Sequence, residues 1–148
     1  MTRVIETISR SPDETVAHGR GLGEQLRGGE LIELCGPLGA GKTQFARGLA
    51  LGLDVPGDEP VVSPTFVLVR QYEGRLTFYH CDAYRLGSLA ELLDLGLEEM
   101  LARGDAVVAI EWADRFPRAL AAPTIHVDLE YADTHRRIRI IQPDPNDT

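Results

Sequence analysis

Lysine is almost missing from this 148-residue chain: Lys42 is the only one, and every other cation in the Lys+Arg count of 15 is an arginine. Against 23 acidic residues these leave a formal net charge of −8. That balance argues against a nonspecific grip on a nucleic-acid backbone, which needs clustered positive charge. Cysteine is also scarce. Cys35 and Cys81 show no paired spacing, so neither a disulfide scaffold nor a zinc site is expected, and a reducing compartment fits. Long apolar runs are missing as well. The longest plain one, Ala106 to Ile110, is far too short to span a bilayer, and Met-Thr-Arg-Val-Ile-Glu at the start has no apolar signal core. A soluble cytoplasmic protein without membrane association is expected. The 43% hydrophobic content suffices for one globular domain over 1–142, with a disordered tail over 143–148.

What the chain does have is Gly-Pro-Leu-Gly-Ala-Gly-Lys-Thr at 36–43, a complete G-x-x-x-x-G-K-[ST] phosphate-binding loop. It follows an apolar run, Leu31 to Cys35, that reads as a buried strand, and leads into Gln44 to Leu53, which reads as a helix. The motif requires that strand–loop–helix context. The backbone of Gly36, Gly39, Ala40 and Gly41 would wrap a phosphate chain, aided by the partial positive charge of the helix N-terminus. Lys42 would reach the β- and γ-phosphates, and the Thr43 hydroxyl would ligate Mg²⁺. A nucleoside triphosphate with magnesium is therefore the expected ligand. A guanine-reading Asn-Lys-x-Asp signature is absent, since Asn146 is the only asparagine, so a GTPase is disfavoured.

Elsewhere, Arg3 to Ser9 reads as a strand. Ser11-Pro12-Asp13-Glu14 opens a helix with a Ser cap, Pro in the first position and Glu three residues after the cap. That helix is expected to reach Arg27, weakened by Gly19, Gly21 and Gly23. Phe66 to Tyr72 and Arg75 to Cys81 read as a hairpin across Glu73-Gly74. Ser88 to Arg103 reads as helix interrupted at Gly96, Ala106 to Ile110 as a buried strand, and Asp114 to Leu120 as a short helix. Thr124 to Tyr131 and His135 to Gln142 form a second hairpin with Ile125, Val127 and Leu129 on one face. The predicted class is α/β, a P-loop nucleotide-binding fold with a central parallel sheet extended by antiparallel hairpins and flanked by helices.

Such a site needs a second magnesium anchor at the end of a neighbouring buried strand. Glu111, directly after Ala-Val-Val-Ala-Ile, is the candidate; its arm could hold the metal through water or orient the attacking water. Asp82 could orient water near the γ-phosphate or cap the turn after its strand. His80 shares a face with Asp82, but two ligands are too few for a metal site. Thr65, in Ser63-Pro64-Thr65-Phe66, could reach the γ-phosphate magnesium and switch with hydrolysis, or lie in a turn before a strand. Trp112 is the only tryptophan; such residues serve cores and partner surfaces as readily as ligands. Arg136, Arg137 and Arg139 cluster on the last strand, where arginines commonly protect an edge.

Five segments, Gly-Pro-Leu-Gly-Ala-Gly-Lys-Thr, Ser-Pro-Thr-Phe, His-Cys-Asp-Ala-Tyr-Arg-Leu, Leu-Gly-Leu-Glu-Glu at 95–99 and Ile-Glu-Trp at 110–112, occur in the order and approximate spacing of one family. The chain resembles the TsaE (YjeE) family, the bacterial ATPase subunit of the tRNA threonylcarbamoyladenosine machinery, nearly throughout. The resemblance implies a magnesium-dependent ATPase, slow alone and activated by the partners TsaB and TsaD, that supports their repeated turnover, with tRNA held through the complex. It implies catalytic roles for Lys42, Asp82, Glu111 and Thr65, with Thr43 and Glu111 as magnesium residues. It raises Trp112 and Tyr84 to site residues and places Glu14 and Arg136 at the border of the nucleotide. Pro37 stands where the family commonly has an acid, a change of little effect where only backbone is needed. Two alternatives are a small-molecule P-loop kinase, for which no arginine-rich lid is visible, and a nucleotide-gated interaction module that does not require hydrolysis.

Overall fold

The strand that feeds the phosphate loop carries Leu-Ile-Glu-Leu-Cys, apolar on both faces, and so belongs where helices cover the sheet on both sides. The computed structural model describes residues 2–37, 39–58, 61, 69–113, 116 and 123–143. In it β2 (Leu31–Cys35) lies between two parallel neighbours, β5 (Ala106–Glu111) and β6 (Thr124–Ala132). β4 (Thr77–Asp82) pairs parallel to the far side of β5. Every residue of β5 is buried, which explains its unbroken apolar run. Antiparallel strands extend both sides. β7 (His135–Pro143) pairs with β6, β1 (Thr2–Ser9) with β7, and β3 (Val69–Glu73) with β4. The order is β1-β7-β6-β2-β5-β4-β3, the expected parallel centre with antiparallel extensions. Pro143, assigned to the tail by the sequence, instead ends β7 opposite Thr2.

On one sheet face lie α1 (Pro12–Gln25) and α2 (Lys42–Gly52). Ser11 caps α1 as its sequence requires, accepting the Glu14 N–H at 3.1 Å. Two of the three glycines of α1, Gly19 and Gly23, also form its contact surface with α2. A Cβ on Gly19 would stand 2.3 Å from the Phe45 carbonyl oxygen, and one on Gly23 2.6 Å from that of Leu49. Gly48 and Gly52 answer from α2, where a Cβ would come within 2.1 Å of Val16 O and 2.5 Å of Arg20 O. Two pairs spaced four apart thus form a strip on each helix, because i and i+4 share a face, and the backbones meet directly.

The helix stops at Gln25, short of Arg27, because Leu26 turns to extended backbone. The Arg75 guanidinium supplies donors there. It bonds Leu26 O at 2.8 Å, Gly23 O at 2.7 Å and, at the end of α2, Gly52 O at 3.3 Å. A cation at helix C-termini satisfies orphan carbonyls and suits the helix dipoles. The same contact alters the first hairpin. Arg75 N–H bonds Leu53 O at 2.8 Å, so the turn takes residues 74–76 instead of Glu73-Gly74 alone, and the paired strands begin at Glu73 and Thr77.

On the other face α3 (Leu89–Asp94) and α4 (Leu97–Ala102), separated at Gly96 with φ +77°, pack Leu92, Leu97 and Leu101 against Leu31, Val108 and Ile110. Among the described residues no helix is long and apolar enough to cross a membrane. The short helix expected over Asp114 to Leu120 falls, apart from Phe116, outside the described residues.

The helix crossing makes a paired test. Gly48→Ala should lower unfolding stability by about 1–3 kcal/mol or more. Gly21→Ala, whose Cβ would meet nothing within 4 Å, should raise it by up to about 1 kcal/mol through helix propensity. Urea midpoints of the two variants check both signs.

Candidate functional site

The parallel strands end at one edge, and that edge gathers the polar residues, as expected for the ligand side of an α/β sheet. β2 runs into Gly36, whose φ of +147° and position, with a Cβ only 2.3 Å from Leu129 O, admit glycine alone. The loop then returns as α2, entered through Gly41 at φ +108°. The N-terminus of α2, with the partial positive charge of a helix start, therefore lies at the strand ends.

Lys42 is 95% buried, with 5% exposure. Its Nζ donates to the carbonyls of Gly36 at 2.6 Å and Pro37 at 3.0 Å. It also stands 3.9 Å from the centroid of the Trp112 ring, a cation–π contact. Trp112 reaches that place because its backbone takes φ +61°, rare for a bulky residue, while its N–H holds Leu34 O at 3.1 Å. Tyr84 flanks the indole, 5.2 Å between ring centroids, and is itself largely exposed.

Glu111 ends β5 with its carboxylate buried. Its Oε2 accepts from the Thr43 hydroxyl at 3.5 Å and lies 2.6 Å from His80 Nε2. His80 is fully buried, with Nδ1 lacking a partner within the described residues. His80 Nε2 thus meets the carboxylate directly and holds Glu111 in one orientation. The sequence marks His80 only as a neighbour of Asp82 on one face. Its real partner lies on the adjacent strand, and the signal that finds it is the register, in which β4 and β5 end together with Asp82 opposite Glu111. Asp82 is buried too, and its Oδ1 accepts the Tyr84 N–H at 2.9 Å. It does cap the turn after its strand while standing beside Glu111.

Between them Cys81 points the other way, into the cluster under α3 and α4. Burial and, second, the Asp82 carboxylate push its thiol up from 9.0 to about 12.

A cleft of about 240 Å³ opens on the far side of the loop, walled by Ser9, Pro12, Thr15, Gly39, Ala40 and Arg136 among others. Arg136 lines this cleft, and its guanidinium stacks 4.1 Å above the Tyr131 ring. Glu14 sits in the first turn of α1, beside the cleft, with its carboxylate accepting the Arg10 N–H at 3.3 Å. Thr65, with the rest of Ser63 to Phe66, lies outside the described residues.

Residues 9–139 match the family model for "Threonylcarbamoyl adenosine biosynthesis protein TsaE". The chain belongs to the TsaE family. It is 42% identical over 137 residues to the tRNA threonylcarbamoyladenosine biosynthesis protein TsaE of Treponema pallidum, covering 92% of this chain and 99% of that one. It is 44% identical over 133 residues to the protein of the same name from Mycobacterium leprae, covering 83% of this chain and 80% of that one. The crystal structure of Bacillus subtilis YdiB superposes with a TM-score of 0.75 at 28% identity, covering 96% of this chain and 87% of the other. The phosphate loop, the His80–Glu111 pair and the Lys42–Trp112 contact are therefore features of a TsaE-family chain.

The buried thiol has a pH signature. The folded chain holds the Cys81 proton to about pH 12, whereas the unfolded chain releases it near 9.0. Its contribution to stability is thus complete below pH 9 and is lost as pH rises toward 12. Cys81→Ala should flatten the fall in urea midpoint between pH 8 and pH 10, measured against the unmodified chain.

Proposed function

We propose that this TsaE-family chain is the ATP-hydrolysing subunit of the tRNA threonylcarbamoyladenosine machinery, slow alone and activated by TsaB and TsaD. The observation that carries the reading is the convergence of Lys42, Thr43 and Glu111 at the end of β2 and β5, with Thr43 Oγ1 3.5 Å from Glu111 Oε2. The donor set fits the ligands. Lys42 Nζ, now donating to two loop carbonyls, has the charge and donors for phosphate oxygens. The hydroxyl of Thr43 and the carboxylate of Glu111 are hard oxygen ligands of the kind magnesium takes. When bound, magnesium neutralises charge on the phosphates.

The residues of the chain do the rest. The loop from Gly36 through Gly39, Ala40 and Gly41 to Thr43 binds the phosphates by backbone N–H groups and the start of α2. His80 holds Glu111 in one orientation, as a partner carboxylate or imidazole does behind a metal ligand. Asp82, beside Glu111, orients the attacking water. Trp112 restrains Lys42, and the cleft walled by Arg136, next to Glu14, takes the nucleoside. Thr65 responds to the γ-phosphate. With a net charge of −8, contact with tRNA runs through the partners. One observation favours a second reading, a nucleotide-gated interaction module: the bond from Tyr84 N–H to Asp82 ties the site to an exposed aromatic residue. Asp82→Ala separates the two, since full modification activity without hydrolysis would favour the module.

Steady-state ATP hydrolysis with magnesium, with and without the matched TsaB–TsaD pair, tests the proposal. Slow turnover stimulated by the pair is expected, with Lys42→Ala reducing it by about 100-fold or more. Fast turnover indifferent to the pair, or undiminished in Lys42→Ala, would overturn it. His80→Ala should reduce turnover about 10- to 100-fold and raise the magnesium concentration required. His80→Gln, whose amide N–H can face Glu111, should recover part of both; equal losses in the two variants would reduce His80 to a packing residue.

A further inference from the structure

We infer that Cys35, His126 and Asp128 form a binding site for a divalent cation of the zinc class, on the sheet face opposite α1 and α2. β2 and β6 run parallel with Glu33 opposite His126 and Cys35 opposite Asp128. Side chains alternate across a strand. Ile32, Leu34, Ile125 and Val127 occupy the face packed under α1 and α2, which leaves Glu33, Cys35, His126 and Asp128 together on the other. The ligand atoms of Cys35, His126 and Asp128 all lie within 4.8 Å of one another.

The chemistry of the set selects the metal. One sulfur, one imidazole nitrogen and one carboxylate oxygen suit a borderline-soft cation, while magnesium and calcium prefer oxygen throughout. His126 Nε2 and Asp128 Oδ1 are hydrogen-bonded at 2.9 Å, a bond that a cation held between them would replace. The other nitrogen of His126, Nδ1, faces Glu33 Oε1 at 3.6 Å. A carboxylate behind the imidazole is the usual companion of a metal-bound histidine. Binding takes the tautomer with the proton on Nδ1, toward Glu33, and releases one proton from the Cys35 thiol to solvent. Three protein ligands leave a coordination position for water. His126 and Asp128 are 34% and 43% exposed at their side chains, which gives the ion a way in. A surface histidine between two carboxylates would serve as an ion-pair network without a thiol. The buried Cys35 beneath it is what turns the network into a ligand set. The group shares no residue with Thr43 and Glu111, so it stands independently of the nucleotide reading.

Cobalt(II) titration of the reduced full chain, in excess magnesium, tests it. A thiolate-to-cobalt absorption band should saturate at one equivalent and be displaced by zinc. Cys35→Ser and His126→Gln should each abolish it, and Cys81→Ser should leave it intact. Asp128→Asn and Glu33→Gln should weaken binding about tenfold or more. His126→Gln changes a partly exposed side chain and keeps the test open should Cys35→Ser fail to fold. Absence of the band at saturating cobalt, or its survival in His126→Gln, would overturn the inference.

Discussion

The approach of α1 to α2 at backbone distance sets the position of nearly everything else on the ligand side of the sheet. Gly19 and Gly23 on one helix and Gly48 and Gly52 on the other leave no room for a methyl group, so the helices are pressed together with no side chain to cushion an alternative spacing. α2 begins at the phosphate loop, and α1 begins beside the cleft at Ser9 and Thr15. The crossing therefore sets the distance between the loop backbone and the cleft next to it. Arg75 reinforces it by bonding the last carbonyls of both helices, and thereby ties the β3–β4 turn to the same unit.

On the sheet itself the controlling cost is a buried carboxylate. A buried polar group is tolerated only with partners, and among the described residues Glu111 has two, the Thr43 hydroxyl and His80 Nε2. Each arrives from a different element: Thr43 from the first turn of α2, His80 from β4. The carboxylate thus joins loop, helix and sheet edge at one point, and the same arrangement holds it in one orientation. Lys42 is restrained differently, by loop carbonyls and the face of Trp112. The indole can serve because the backbone at Trp112 turns into the left-handed region directly after Glu111.

Much of this was legible in the residues. The phosphate loop with its strand and helix, the Ser11 cap, the break at Gly96 and the alternation of β6 all rest on neighbours a few positions apart, where hydrogen bonding and side-chain periodicity act locally. Glu111 was legible for the same reason, as an acid at the end of an unbroken apolar strand. The contact role of Gly19 and Gly23 was not legible, since a glycine in a helix signals only lost propensity until the opposing helix is in view. The end of α1 and the span of the first hairpin turn were likewise misplaced, because Arg75 and Leu53 decide both from distant positions.

The class of fold, the phosphate loop and the acid across from it thus follow from the residues alone, because each is written in short-range spacing. That His80 meets Glu111, that Arg136 stacks on Tyr131 beside the cleft, and that Cys35 comes together with His126 and Asp128 is visible only in the folded chain. These pairings depend on strand register and helix crossing. Both are settled by packing between segments far apart in the chain, where no local period carries the information.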